Sequence, residues 1–152
     1  SLLHDLVEDI PKFSIENIKT LFNENVAYMV RLVTKEADID YKANTDALTT
    51  YLNRISEHYG ASLIKCSDRL HNMGTLLDAT LEKRYQQAIE TEKFFLPFFK
   101  KCRKLYPWYA SFFFEAKTTV DSQIQLIKDN YLEVQKLQHE ITLLKEKQRD
   151  NY

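Results

Sequence analysis

The chain has 152 residues, of which two are glycine and three are proline, and its 21 basic and 22 acidic side chains give a formal net charge of −1. The length suits one domain with a helical tail, and the few turn-forming residues argue against a β-rich fold. The balanced charge excludes a general affinity for nucleic acid or for a membrane surface. No apolar run is long enough to predict a transmembrane helix, and we expect a cytoplasmic protein.

The two cysteines, Cys66 and Cys102, are far apart and lack the spacing of a zinc or redox motif. This pattern favours two reduced, buried thiols over a disulfide or a structural zinc site. The N-terminal residues lack the basic region and apolar core of a signal peptide. The sequence opens at Ser1, without Met and inside an amphipathic pattern, which suggests that it was cut within a helix.

Apolar residues recur three and four positions apart along most of the chain, a period typical of amphipathic helices. A first short helix should end before Pro11, because proline disfavours a helical residue before it. A second should begin after Ser14, although Asn17 stands where a capping box prefers Glu or Gln. A third stripe, at residues 26–33, leads into a polar connection around Asp38.

A fourth helix is predicted over residues 47–55, with Gly60 interpreted as its C-terminal breaker. A central helix follows at residues 63–77. A further amphipathic segment, residues 82–99, ends in an aromatic cluster and is interrupted at Pro97. The sequence therefore predicts an all-α fold with loops near Pro11, Asp38 and Gly60.

The last segment predicts one long helix, with an apolar stripe that runs from Val120 to Ile141. Gln138 and Lys145 fall where a continuous coiled-coil seam would require apolar residues. Packing of this helix on its own domain is favoured over pairing with a partner, although helix-mediated self-association stays open. The expected division is a domain over residues 1–115 and a C-terminal helix over residues 116–152.

Two polar clusters are candidates for chemistry. His4 and Asp5 are followed one turn later by Glu8 and Asp9, a set of imidazole and carboxylate groups that suits a divalent metal such as Mn²⁺. Considered alone, this cluster is better explained as a solvated acidic face.

The second cluster lies on the central helix. Asp68, Asn72 and Thr75 are spaced to share one face, while Leu70, Met73 and Leu77 occupy another and should bury the helix. A buried carboxylate is costly without a partner, and a metal shared with the first cluster would supply one to Asp68.

These segments resemble the signatures of one family. Leu3 to Asp9 is similar to LHDxVED, Val33 to Lys35 to VTK, Lys65 to Thr75 to KxxDRLHNMxT, and Glu90-Thr91 to an ET pair. All four are signatures of the hydrolase domain of the RelA/SpoT family. The resemblance implies an HD-domain helical bundle that binds Mn²⁺ and releases pyrophosphate from the 3′ position of guanosine 3′,5′-bis(diphosphate).

The resemblance also implies residue roles. His4, Asp5 and Asp68 would hold Mn²⁺, and Glu8 and Asp9 would orient and activate the water that attacks the phosphorus.

On the central helix, Asn72 and Thr75 would contact the nucleoside, and Arg69 would brace the site by pairing with a carboxylate. The family's first metal-ligand histidine would lie before Ser1, and Gly74 stands where the family has a basic residue. We therefore expect weak Mn²⁺ binding and slow or no hydrolysis by this stretch alone. Two other functions remain open: a non-catalytic regulatory or protein-binding module derived from an HD domain, and an HD nucleotidase for other nucleotides.

Overall fold

The computed structural model describes residues 2–10 and 13–149, apart from the side chains of Leu2, His4 and Leu77. Over these residues it contains helices and no strand, which confirms the predicted all-α fold. In chain order the α-helices are α1 (Leu2–Asp9), α2 (Ile15–Leu21), α3 (Glu24–Val33), α4 (Thr45–Ile55), α5 (Tyr59–Gly74), α6 (Leu81–Glu90), α7 (Leu96–Leu105) and α8 (Ala110–Arg149). The loop predicted at Pro11 falls outside the described residues.

Helix α5 lies at the centre of the fold. It packs against α3, α4, α7 and α8. The main core contains many aromatic and branched side chains, the largest fully buried ones being Ile55, Phe95, Phe99, Phe113 and Ile124. A helix in this position can present polar side chains on one face while the opposite face is fixed by packing.

A smaller core holds α1 and α2 against α3. Ile18, Ala27 and Val30 are buried in it, and Leu3 and Val7 of α1 pack against them. The polar residues of α1 are thereby fixed next to the C-terminal end of α3.

Side-chain caps set most helix starts. The N-cap residues that accept a backbone N–H are Ser14, Asn23, Asn44, His58 and Thr80. At α2 the capping box is complete, since the Asn17 side chain accepts the Ser14 backbone N–H at 2.7 Å. Asn17 therefore replaces the Glu or Gln that a capping box prefers, because its amide oxygen also reaches the Ser14 backbone N–H.

The interpretation of Gly60 as a helix breaker is wrong. Helix α4 ends at Ile55, and Gly60 lies in the first turn of α5, without a positive φ. A Cβ on Gly60 would lie 2.5 Å from the Met29 Sδ of α3. The residue is small because two helices approach closely there, and not because the backbone turns.

The interruption predicted at Pro97 lies earlier. A π-helical turn at Thr91–Phe95 joins α6 to α7, and Pro97 occupies the first turn of α7. The wider spacing of a π turn changes which carbonyls accept backbone N–H groups. A proline in the first turn after it therefore removes no helical hydrogen bond.

Cys66 and Cys102 are buried free thiols, as predicted. Burial raises the pKa of both thiols, so neither is poised to react as a thiolate. No helix in the described part of the chain is long and apolar enough to cross a membrane.

Helix α8 packs on α5, α6 and α7, and its last half-buried residue is Val134. Its buried residues are Phe113, Ala116, Val120 and Ile124, and every residue from 135 to 149 is exposed. The packing favoured from the sequence thus holds for half of the helix. The division between residues 115 and 116 falls inside α8 and stays a prediction.

Candidate active site

The end of α1 is joined to the end of α3 through Glu8. Its Oε1 accepts the backbone N–H of Lys35 at 2.8 Å. This bond connects the segment that resembles LHDxVED with the segment that resembles VTK. The side chains of Asp5 and Asp9 are exposed on the same short helix.

Tyr51 of α4 lies beneath this junction. It is 3% exposed, and its hydroxyl donates to the backbone carbonyl of Val33. Burial raises the pKa of the Tyr51 hydroxyl far above its ordinary value, and the negative charges of Glu8 and Asp68 raise it further. The phenol therefore stays a neutral donor.

We expect Tyr51→Phe to lower the free energy of unfolding by about 1–2 kcal/mol, because the buried Val33 carbonyl loses its donor. Urea unfolding followed by circular dichroism would measure this. Tyr28→Phe is the matched control, since Tyr28 is 49% exposed. Equal effects of the two changes would contradict the role assigned to the Tyr51 hydroxyl.

On α5, Asp68 pairs with Lys65. The Lys65 Nζ lies 2.8 Å from Asp68 Oδ2, and both side chains are largely buried. The Asn72 Nδ2 lies 3.4 Å from Asp68 Oδ1, so these two predicted site residues share one face of the helix. The Lys65 ammonium is also 5.6 Å from the centre of the Tyr51 ring.

The role of Thr75 beside Asn72 stays a prediction. Helix α5 ends at Gly74, and Thr75 is its C-cap. The Thr75 hydroxyl donates to the His71 carbonyl at 3.1 Å and is 3.3 Å from the Asn72 carbonyl. The residue lies beside Asn72, and its hydroxyl is bonded to carbonyls of the last turn of the helix.

Arg69 is buried and pairs with a carboxylate from the next helix. Its Nη2 donates to Glu90 Oε1 at 2.6 Å, and its guanidinium lies 3.6 Å from the Phe95 ring centre. Nη1 donates to Gln87 Oε1 at 2.9 Å and to Thr91 Oγ1 at 3.2 Å. The π turn thus supplies both the ring and the hydroxyl that hold this cation.

A third cation, Lys35, lies near the same groups. Its ammonium is 5.2 Å from the centre of the Tyr41 ring. Burial lowers the pKa of Lys35, the charges of Lys65 and Arg69 lower it further, and Glu90 and Glu8 oppose them. Three cations and three carboxylates from α1, α5, α6 and the segment after α3 therefore form one electrostatic cluster.

The described side chains do not fit a metal centre. Among them, no group of three or more His, Cys, Asp or Glu is arranged to hold an ion. The His4 side chain lies outside the description, and the Asp68 carboxylate faces the Lys65 ammonium at 2.8 Å. The donor types suit Mn²⁺, but their described geometry does not assemble them.

A groove of about 680 Å³ lies along α6 and the start of α4. Glu90 lines it, together with Lys42, Lys83 and Lys93. None of the described residues predicted as ligands or catalytic groups lines this groove. Asp68 and Asn72 do not line it, but Gln87 and Glu90 connect it to the buried Arg69 side chain.

Known proteins match most of this chain. A probable guanosine-3′,5′-bis(diphosphate) 3′-pyrophosphohydrolase of Synechocystis is 36% identical over 99 residues, which is 62% of this chain and 13% of that protein. A guanosine-3′,5′-bis(diphosphate) 3′-pyrophosphohydrolase of Aquifex aeolicus is 38% identical over 64% of this chain. The bifunctional (p)ppGpp synthase/hydrolase SpoT of Escherichia coli K12 is 31% identical over 64%.

Over this region, the chain is similar to hydrolases of the RelA/SpoT family. The match spans only 13–14% of the length of these relatives. No protein-family model matches the chain, and no solved structure matches it at a significant level.

The structure shows contacts in this region that the sequence pattern left unassigned. Lys35 and Lys65 belong to the quoted signatures, so their place in the motifs was a usable signal. Tyr51 had no signal, because its spacing made it one member of an apolar stripe. Gln87 and Glu90 could be recognised as partners of Arg69 only from their positions in space.

Proposed function

We propose that this chain contributes to a hydrolase that releases pyrophosphate from the 3′ position of guanosine 3′,5′-bis(diphosphate). The ligand would be a guanosine polyphosphate, with Glu8 and Asp9 as the groups that act on water and Asn72 and Thr75 next to the nucleoside.

One observation carries the proposal. The four segments that resemble the family signatures come from separate parts of the chain, yet direct contacts connect them. Glu8 accepts the Lys35 N–H, Tyr51 contacts both Val33 and Lys65, and Arg69 of the same helix pairs with Glu90. A purely structural role for the signatures would not require polar groups from α1, α5 and α6 to converge. Convergence of paired carboxylates and cations is typical of sites that handle phosphate.

In the proposed reaction, a water oxygen attacks the phosphorus attached to the 3′ oxygen, and the bond between that phosphorus and the 3′ oxygen breaks. A carboxylate takes the proton from the water. The 3′ oxygen gains a proton, and pyrophosphate leaves. Because Glu8 Oε1 is held by the Lys35 N–H, we assign the other oxygen, Oε2, to the water. Arg69 would act as a positioning residue through Glu90.

The proposal also includes the identity of the metal ion and of its ligands. Mn²⁺ held by His4, Asp5 and Asp68 is supported by the types of donor present. The Lys65–Asp68 pair competes with metal binding, since the Lys65 ammonium already contacts the Asp68 carboxylate. Binding would require Asp68 to exchange Lys65 for the ion, so we expect the affinity for Mn²⁺ to be low.

We expect Glu8→Gln to reduce the rate of pyrophosphate release at least about 100-fold, because the amide cannot accept the proton of the attacking water. Release from guanosine 3′,5′-bis(diphosphate) would be measured by separation of the nucleotide products, with Mn²⁺ present. Glu16→Gln is the matched control, since Glu16 is an exposed residue of α2.

Wild-type chain should release pyrophosphate slowly but above the background of the buffer. Release by Glu8→Gln at the wild-type rate, with both chains folded by circular dichroism, would contradict the role proposed for Glu8. The second candidate, a non-catalytic protein-binding module, is favoured by the uncovered half of α8.

A further inference from the structure

The second half of α8 extends beyond the domain. The last half-buried positions are Tyr131, which stacks on Tyr85 at a ring distance of 4.0 Å, and Val134. All residues from 135 to 149 are exposed, yet the segment is continuous helix. A helix this exposed has few tertiary contacts to stabilise it, although tertiary packing is what stabilises most helices.

This uncovered half has its own apolar seam. Leu137, Ile141 and Leu144 continue from Val134 at alternating steps of three and four, and they are 51%, 51% and 61% exposed. The seam is turned around the helix relative to the stripe that packs on the domain. Gln138 and Lys145 interrupt that first stripe, whereas they flank this one.

We propose that a second copy of this chain covers the seam, as a parallel two-stranded coiled coil over residues 134–147. In heptad terms Val134 and Ile141 occupy the a positions, and Leu137 and Leu144 occupy the d positions. β-branched residues at a with leucine at d are the combination that favours parallel dimers. The inference does not depend on the proposed function.

The flanking charges are self-complementary in this arrangement. Glu140 falls at a g position and Lys145 at the following e position. In a parallel dimer each g residue faces the next e residue of the partner, so two Glu140–Lys145 pairs form between the copies. An antiparallel pair would place g residues against g residues, and this match would be lost.

The dimer should be weak and reversible, because the seam has only two heptads. Other exposed leucines of α8 lie off the seam, with Leu132 at an f position and Leu143 at a c position. Leu132 is 60% exposed, close to the exposure of Leu137. The chain therefore provides a matched control of the same residue type on the same helix.

The test is sedimentation equilibrium of the full chain up to about 1 mM, near the weak limit of specific association. The mass should rise with concentration from the 18.0 kDa of one chain toward twice that value. Leu137→Lys should raise the dissociation constant at least about tenfold, because it places two charges in the seam. Leu132→Lys should leave it unchanged within about twofold.

Orientation is tested by mild oxidation of Leu144→Cys, with Leu132→Cys as control. Only a parallel, in-register dimer brings two residues 144 within disulfide reach, so the first variant should cross-link and the second should not. A wild-type chain that stays monomeric at every concentration overturns the proposal. Equal effects of the two lysine variants, or a dimer in which Leu144→Cys does not cross-link, would overturn it too.

Discussion

Replacing Glu90 by alanine is expected to lower the free energy of unfolding by about 2–3 kcal/mol, because it leaves the Arg69 guanidinium buried without its carboxylate. Arg69 and Glu90 side chains are 7% and 21% exposed, and their atoms approach to 2.6 Å. For a chain of this size the melting temperature should fall by about 5–10 °C. Differential scanning calorimetry would measure it.

A neighbouring ion pair supplies the control for this change. Glu92 pairs with Lys128 at 2.9 Å, but the two side chains are 38% and 28% exposed. Solvent-exposed pairs contribute about 0–1 kcal/mol, so Glu92→Ala should cost no more than that. If Glu90→Ala destabilised the chain as little as Glu92→Ala, the Arg69–Glu90 pair would not be what holds α5 to α6.

Replacing Asp68 by asparagine is expected to reduce pyrophosphate release at least about 100-fold and to abolish Mn²⁺ binding, if Asp68 is a metal ligand. Asparagine keeps the shape of the side chain and opens no cavity, so the helical content should be unchanged. Release would be assayed with guanosine 3′,5′-bis(diphosphate), and Mn²⁺ would be titrated by calorimetry.

Asp78→Asn is the control for this change, because Asp78 lies in the exposed 3₁₀ turn after α5. It should keep wild-type release and wild-type Mn²⁺ affinity. Full activity of Asp68→Asn would show that the proposed metal and catalytic roles belong to other residues. Loss of release with unchanged Mn²⁺ affinity would separate Asp68 from the metal and leave its pair with Lys65 as its role.

Local rules predicted the helices well and their junctions less well. Ser14 was correctly predicted as a cap, since N-capping depends on neighbours three residues away. Gly60 was wrongly interpreted as a helix breaker, because the reason for its small size is the nearby side chain of Met29 on another helix. The interruption was predicted at Pro97, but it lies in the π turn before that residue. Phe95 and Thr91 of this turn contact Arg69, a distant residue that a local pattern does not include.

The site followed a similar division. The signatures identified Glu8, Asp68 and Arg69 as candidate site residues, because residue type and spacing along a helix can be read from the sequence. They did not show that Asp68 would be paired with Lys65, since the same carboxylate can face an ammonium or a metal ion. Only the positions of side chains in space distinguish those partners.

The sequence by itself determined that this protein is helical and related in its signatures to a phosphohydrolase family, because helical periodicity and motif spacing are local properties of the chain. The tertiary structure alone decided which charges meet. It brought Glu8 to the Lys35 backbone, Arg69 to Glu90 and the Tyr51 hydroxyl to the Val33 carbonyl. Among the described residues, it also left positions 135–149 of α8 exposed. Pairing between distant segments depends on how whole helices pack, which no local pattern encodes.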